Sequence, residues 1–330
     1  MIMSDKKMSK VKLLRLYEIL RQESDCDHPL TTKMLCDRLE SEGICCDRRT
    51  LKDDIADLNR IGIEIMETKS GYFNAYYFED RPFSVPELKI LIDAVQAASF
   101  ITEKKSKDLI SRISELGGFH QSEVLKGNMV TFNTRKHTNE SILINVDLIN
   151  TAIEQNKKIS FQYYDLDENH EKRFRKNRKK YTENPAALVY NEDNYYLVCY
   201  SDKYRDTVNY RVDRMYSINV LDVPRNAEAE KLYGMLPDYT RQSFKMYDGD
   251  VKEVTLEFDD SLLGPVYDKF GEDTEIRRMA GRKCRINVTV QVSPPFWGWL
   301  FQFGNRIRIV SPESVRDEYV TRAKQAAGIR

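Results

Sequence analysis

Apolar residues recur at helical spacing in three stretches near the start of the chain. Val11, Leu14, Leu16, Tyr17 and Leu20 predict one buried face of a helix over residues 11–21. Thr31 stands as N-cap of a second helix carrying Met34, Leu35 and Leu39 before Gly43 stops it. Asp47 then caps a third helix, RRTLKDDIADLNR, in which Leu51, Ile55 and Leu58 point inward while Arg48, Arg49, Thr50 and Lys52 occupy the first turns. The period then changes, and residues 63–68 and 72–78 predict two strands joined through Lys69, Ser70 and Gly71, with Tyr72 at the tip.

Residues 82–127 return to helical spacing, with Ser84 as cap of PELKILIDAVQAASF and a second helix over 106–116 that ends at Gly117-Gly118. A helix near 146–155 leads into five strand-like runs, KISFQYY, PAALVY, NYYLVCY, TVNYRV and MYSINVL, the pattern of a small all-β barrel. From residue 251 the order is strand, helix, hairpin, helix, strand, and then a final helix over 313–327; a βαββαβ order predicts a ferredoxin-like sandwich. The expected class is therefore α+β multidomain: a winged three-helix domain over 1–80, a helical linker over 81–140, an Sm-like or SH3-like barrel over 141–225 and a ferredoxin-like domain over 247–330. Trp297, Leu300 and Phe301 are expected to be the core face of their helix.

A helix, a short turn and a second helix with a basic N-terminal end, followed by a wing, is the winged helix-turn-helix order. There the early residues of the second helix reach base edges in the major groove of duplex DNA. Arg48, Arg49, Thr50, Lys52, Lys69 and Tyr72 are the candidate DNA contacts. The competing reading is a plain three-helix bundle with a hairpin, its charges forming a solvated face. Residues 1–80 hold 13 Lys plus Arg against 16 Asp plus Glu, a net of −3, so attraction to phosphate must come from where these cations sit.

The whole chain, 330 residues with 52 Lys plus Arg and 52 Asp plus Glu, carries no global field that would draw it to nucleic acid. One segment departs from this balance: seven Lys or Arg crowd between Lys172 and Lys180, interleaved with Phe174 and bounded by Tyr181. Such density fits phosphate binding with aromatic stacking, and a solvated loop fits it too. Six cysteines show no C-x-x-C spacing, so reduced structural thiols are expected rather than a metal or redox site. The four histidines (His28, His120, His137 and His170) sit in no catalytic motif. With no nucleophile elbow, P-loop or glycine-rich dinucleotide turn, neither an enzyme nor a bound cofactor is expected. No apolar run approaches the roughly 18 residues of a membrane span, and the polar start lacks a signal-peptide core, which points to a cytoplasmic protein without a membrane partner.

Specific stretches resemble the WYL-domain transcriptional regulators of bacteria. DRRTLKDDIADL looks like their recognition helix. Tyr181 to Pro185, then Asn194-Tyr195-Tyr196-Leu197, then Tyr210-Arg211-Val212-Asp213-Arg214-Met215 is similar to their sensor motif, with Tyr195 where tryptophan is usual. Trp299-Leu300 through Gly304 to Ser311-Pro312-Glu313-Ser314-Val315-Arg316 resembles the C-terminal extension that takes part in dimerisation. The resemblance implies a homodimer that binds a double-stranded operator and senses a ligand on an Sm-like barrel, single-stranded DNA and nucleotides being among ligands in the family. Tyr163, Arg173, Arg175, Tyr181, Tyr196, Arg211 and Arg214 are the candidate ligand contacts, because arginine forks fit phosphate and tyrosines offer stacking faces. In NYYLVCY, alternation puts Tyr195, Leu197 and Cys199 on one face and Tyr196, Val198 and Tyr200 on the other, one for core and one for a pocket. Arg211 and Arg214 converge on one ligand only if the strand ends or bulges between them, and the competing reading is that Asp213 forms a salt bridge with one of them. The alternative function is an accessory protein that binds RNA, a single strand or a partner enzyme through the barrel.

Overall fold

The computed structural model describes residues 5–127, 136, 140–236, 242, 244, 246, 247 and 249–329, with side chains from Lys10 onward; His137 lies outside the described residues, as do parts of the expected linker and C-terminal segments. The chain divides into two compact units, Met1–Asn139 and Glu140–Arg330.

The first unit opens with α1 (Asp5–Glu23), β1 (Leu30–Thr31), α2 (Thr32–Ser41) and α3 (Arg48–Arg60), followed by the hairpin β2 (Ile65–Ser70) and β3 (Phe73–Phe78). The strands form an antiparallel sheet in the order β1-β3-β2. Both predicted caps form: Thr31 Oγ1 accepts from the Met34 N–H at 3.3 Å and Asp47 Oδ1 from the Arg49 N–H at 2.8 Å. The core joins Leu16 and Leu20 of α1, Leu35 and Leu39 of α2, and Leu51, Ile55 and Leu58 of α3. The α1 face differs from expectation, since Val11 and Leu14 are exposed while Lys12 is buried at 9% exposure. The reason is an ion pair: Lys12 Nζ lies 2.6 Å from Asp54 Oδ2 of α3 and donates to Thr50 Oγ1 at 2.9 Å. That interaction turns the helix so that a charge, rather than a valine, faces α3.

Three further helices follow, α4 (Val85–Ala97), α5 (Glu103–Glu115) and α6 (Phe119–Gly127), around Leu88, Ile92, Ile110 and Leu125. The Glu87 carboxylate accepts from both the N–H and Oγ of Ser84, which starts α4 as predicted. Arg81 ties this bundle to the first three helices: one Nη donates to the Ser24 carbonyl at 2.8 Å. Its guanidinium also fills the space beside Gly118, whose φ is +80° and whose absent Cβ would stand 2.7 Å from that group. The helix α6 follows the Gly117-Gly118 stop and was not predicted as a separate element.

In the second unit α7 (Ile142–Glu154) precedes a sheet of β4 (Lys157–Leu166), β5 (Lys172–Phe174), β6 (Tyr181–Asn191), β7 (Asn194–Ser201), β8 (Asp206–Arg211) and β9 (Met215–Pro224). The antiparallel order is β5-β4-β6-β7-β8, and β9 pairs with β4. The long strand β4 serves three partners, with shifts of register along its pairing to β9, and the sheet curls around it. A short helix, α8 (Glu228–Gly234), then packs on β6 and β7.

The last segment consists of β10 (Asp250–Asp259), α9 (Leu263–Phe270), β11 (Arg277–Met279), β12 (Lys283–Val292), α10 (Pro294–Phe301), β13 (Ile307–Ser311) and α11 (Glu313–Ala326). Its four strands are antiparallel in the order β11-β12-β10-β13. Alternation puts Val254, Leu256, Phe258, Cys284, Ile286 and Ile309 into one core with Trp297 and Leu300 of α10, whereas Phe301 is exposed and stacks on Tyr319 of α11 at 4.6 Å between ring centres. The opposite sheet face is polar, with Glu257 held between Arg285 and Arg308 at 2.7 and 2.5 Å.

Replacing Lys12 by Ala leaves Asp54 without its cation in a largely dry setting. The expected loss is about 2–3 kcal/mol, below the value for a fully buried pair because both side chains retain some solvent contact. Lys12→Met with Asp54→Leu should recover most of it. Urea denaturation of the full chain measures both, and wild-type stability in Lys12→Ala contradicts the account.

Candidate functional site

The residues singled out from the sequence fall in two places, one in each unit. In the first, the Asp47 cap sets the start of α3, and Arg48, Arg49, Thr50 and Lys52 all lie on its exposed first turns. Lys69 is exposed near the end of β2, and Tyr72, in the turn to β3, is 98% exposed. A ring so free of packing contributes nothing to the core. Thr50 differs from the others, because its hydroxyl donates to the Asp47 carbonyl at 3.0 Å and accepts from Lys12, so it serves the joint between α1 and α3.

In the second unit the chain passes from β8 to β9 through a single 3-10 turn, Val212–Arg214. The strand therefore ends at Arg211, which satisfies the condition for Arg211 and Arg214 to converge. They converge on Asp213, 4% exposed: its Oδ2 lies 3.0 Å from Arg211 Nη2 and 3.4 Å from Arg214 Nε. Arg211 also donates through Nε to Asp213 Oδ1 at 3.0 Å and through Nη2 to Asn194 Oδ1 at 2.6 Å. The turn backbone is held from three sides. Tyr163 Oη accepts from the Arg211 N–H at 3.1 Å, Tyr164 Oη donates to the Asp213 carbonyl at 2.8 Å, and Asn145 Nδ2 of α7 donates to the Met215 carbonyl at 3.1 Å.

Two of the expected stacking platforms are buried. Tyr163 is 8% exposed and Tyr196 is 7% exposed. Tyr163 belongs to a ring cluster with Phe161, Tyr181 and Tyr210, whose centres lie 4.9 to 6.4 Å apart, and burial pushes its hydroxyl pKa up. Tyr196 packs with Ala186 and Val198 beneath Ala229 and Leu232 of α8, so the face expected as a pocket is a second core. Both faces of β7 are thus buried, because α8 covers the one that alternation left open.

The basic segment is folded back on the same rings. Arg175 makes a two-point pair with Asp165 at 2.7 and 2.8 Å and lies 5.1 Å from the Tyr163 ring. Lys176, in the left-handed region with φ +49°, stands 4.3 Å over Tyr181, and Arg178 stands 4.6 Å over Phe174. Arg173 is exposed on β5 opposite Asp165. The cations are therefore at the surface, while the aromatic faces that sequence assigned to stacking already carry the segment's own side chains.

Inside the curled sheet, Tyr210 Oη donates to Glu183 Oε1 at 2.8 Å, a contact between two stretches of the sensor motif that strand alternation alone does not reveal. Burial pushes the Glu183 carboxyl above its ordinary range, against the lowering effect of that bond, and burial and Glu183 together push the Tyr210 hydroxyl up. Asn145 was likewise missed, being a polar residue with no motif around it, and Asn194, although inside the sensor motif, was assigned no role. Among the described residues no group of three or more His, Cys, Asp or Glu converges to hold a metal ion, and no helix is long and apolar enough to cross a membrane.

Residues 145–220 match the model of the WYL domain, and residues 250–327 match that of the WCX domain. The chain thus contains a WYL domain followed by a WCX domain, as the sequence resemblance implied. The WYL match spans Asn145, both arginines and Asp213. Among solved structures the chain is similar to the proteasome accessory factor B/C (PafBC) of Arthrobacter aurescens at 15% identity and a TM-score of 0.28. That likeness covers 94% of this chain, which spans only 47% of the PafBC chain. No curated protein matches.

Because burial raises the folded-state pKa of Glu183, the fold favours its neutral form. Its contribution is most favourable below the ordinary glutamate range and is lost as pH rises through the folded value. Glu183→Gln has no charge to bury, so its melting temperature should fall less than that of the wild type between about pH 4 and pH 8. Parallel pH profiles for the two proteins would remove Glu183 from this role.

Proposed function

We propose that the protein is a homodimeric, sequence-specific transcription regulator. In this reading residues 1–80 are a winged helix-turn-helix, 81–140 a helical linker, 141–225 an Sm-like sensor barrel and 247–330 a ferredoxin-like domain that contributes to the dimer. The observation that carries it is the first turns of α3, a capped and exposed helix start presenting Arg48, Arg49 and Lys52 beside a wing with Lys69 and Tyr72, in a chain that also contains a WYL and a WCX domain. The net of −3 over residues 1–80 gives no overall attraction to phosphate, so the contact rests on where these exposed cations sit.

The barrel senses a phosphate-bearing ligand, a short single strand or a nucleotide, through Arg211 and Arg214 with Arg173, Arg175 and the edge of Tyr181. Two arginines fixed by a buried carboxylate keep outward N–H groups in a set geometry, which suits forked recognition of phosphate. The ligand regulates by binding one dimer arrangement more tightly than another. An accessory protein that uses the barrel alone remains the competing function, and duplex binding separates the two.

A genome-wide footprint with the full-length protein should reveal two half-sites about one helical turn apart. On that operator Arg49→Ala should cost about 1–3 kcal/mol and relax discrimination at one base position. Arg48→Ala and Lys52→Ala should weaken binding as well. Wild-type affinity in all three variants, or no duplex binding at all, overturns the assignment.

A further inference from the structure

Cys36 sits on the inner face of α2, 4% exposed and packed within the core of the first three helices. Cys46 lies in the connection from α2 to α3, one residue before the Asp47 cap, and packs against the same core. Their Sγ atoms are 2.7 Å apart, and no disulfide joins them. A disulfide requires about 2.05 Å, so the two sulfurs need close by only some tenths of an ångström beyond their present contact. The other cysteines do not share this arrangement: Cys26 and Cys45 are exposed, and Cys199 and Cys284 are buried in the second unit. The adjacency visible in the sequence, Cys45 beside Cys46, is not the contact that forms.

We propose that Cys36 and Cys46 are a redox modification site at which a low-molecular-weight disulfide, such as oxidised glutathione, closes an intramolecular cystine between α2 and the residue before the α3 cap. This site is independent of what α3 binds.

Exposure orders the steps, since only Cys46 is partly open to solvent. Its thiolate attacks one sulfur of the reagent, forming a mixed disulfide and breaking the reagent's own bond, and the first small thiolate leaves. The Cys36 sulfur then attacks the Cys46 sulfur, the cystine forms and the second small thiol departs. The two protons originally on Cys36 and Cys46 end on the two released thiols, the protein pair is oxidised by two electrons and the reagent is reduced by two. Burial, and then the hydrogen bond with Cys36, push the Cys46 thiol up to about 12. The thiolate is therefore scarce near neutrality, and closure is slow there and steep in pH. Such a pair stays reduced under a reducing poise and closes under sustained oxidation. Once closed, it removes conformations from the unfolded chain and raises the melting temperature of the first unit.

The test uses the full-length protein carrying Cys26→Ser and Cys45→Ser, which removes the two exposed thiols. After incubation with oxidised glutathione, denaturation, alkylation and mass spectrometry should show a cross-linked Cys36–Cys46 peptide. Its formation rate should rise about tenfold per pH unit between pH 7 and pH 9. Dithiothreitol should restore both free thiols and the original melting temperature, and adding Cys46→Ser should abolish the cross-link. Complete alkylation of both cysteines after prolonged exposure at pH 9, or a glutathione adduct on Cys46 that never resolves onto Cys36, overturns the proposal.

Discussion

A buried carboxylate at the turn between two strands anchors the curled sheet of the second unit. Asp213 sits where β8 hands over to β9, and the cost of keeping its charge out of water is met by two guanidinium groups, with the turn's backbone held separately by Tyr163, Tyr164 and Asn145. The geometry is mutual. The arginines pair with Asp213 inside the fold, and Asp213 holds both partly exposed arginines at the end of the strand. Of the tyrosines expected to stack on a ligand, Tyr163 instead holds this turn and Tyr196 is buried beneath α8.

The first unit shows the same logic on a smaller scale. Many of its ion pairs are exposed i to i+3 or i+4 contacts, such as Arg60 with Asp57, and exposed pairs of that kind contribute only tenths of a kcal/mol. Lys12 is different because it is buried against Asp54 and Thr50, on the joint that sets α3 against α1. The side chains that present α3 outward are therefore free of structural duty, while Thr50, in the same turn, is not.

Periodicity made most elements legible, including both caps of the helix-turn-helix order and the strands of the second unit, since each of those runs has its own apolar face. What it could not show was the partner of each face. Val11 looked inward and Lys12 outward because a lone lysine carries no sign of the aspartate that will meet it across two helices. Tyr196 looked like a pocket residue because α8, a seven-residue helix, has too few turns to announce itself in the sequence. The convergence of Arg211 and Arg214 depended on where β8 ends, which alternation alone leaves open. The contact of Cys36 with Cys46 joins two elements across a turn and leaves no local pattern at all.

The central claim is that Asp213 fixes Arg211 and Arg214 as a phosphate-reading pair, and the salt dependence of single-strand binding tests it most directly. Fluorescence anisotropy of the full-length protein with a short 5′-labelled oligonucleotide, over a range of salt, should give a linear fall of log affinity with log salt. Loss of either arginine should flatten that slope by about 0.7 for each phosphate contact removed. Absence of binding by the wild type at low salt, or an unchanged slope and affinity in both Arg211→Ala and Arg214→Ala, would contradict the account.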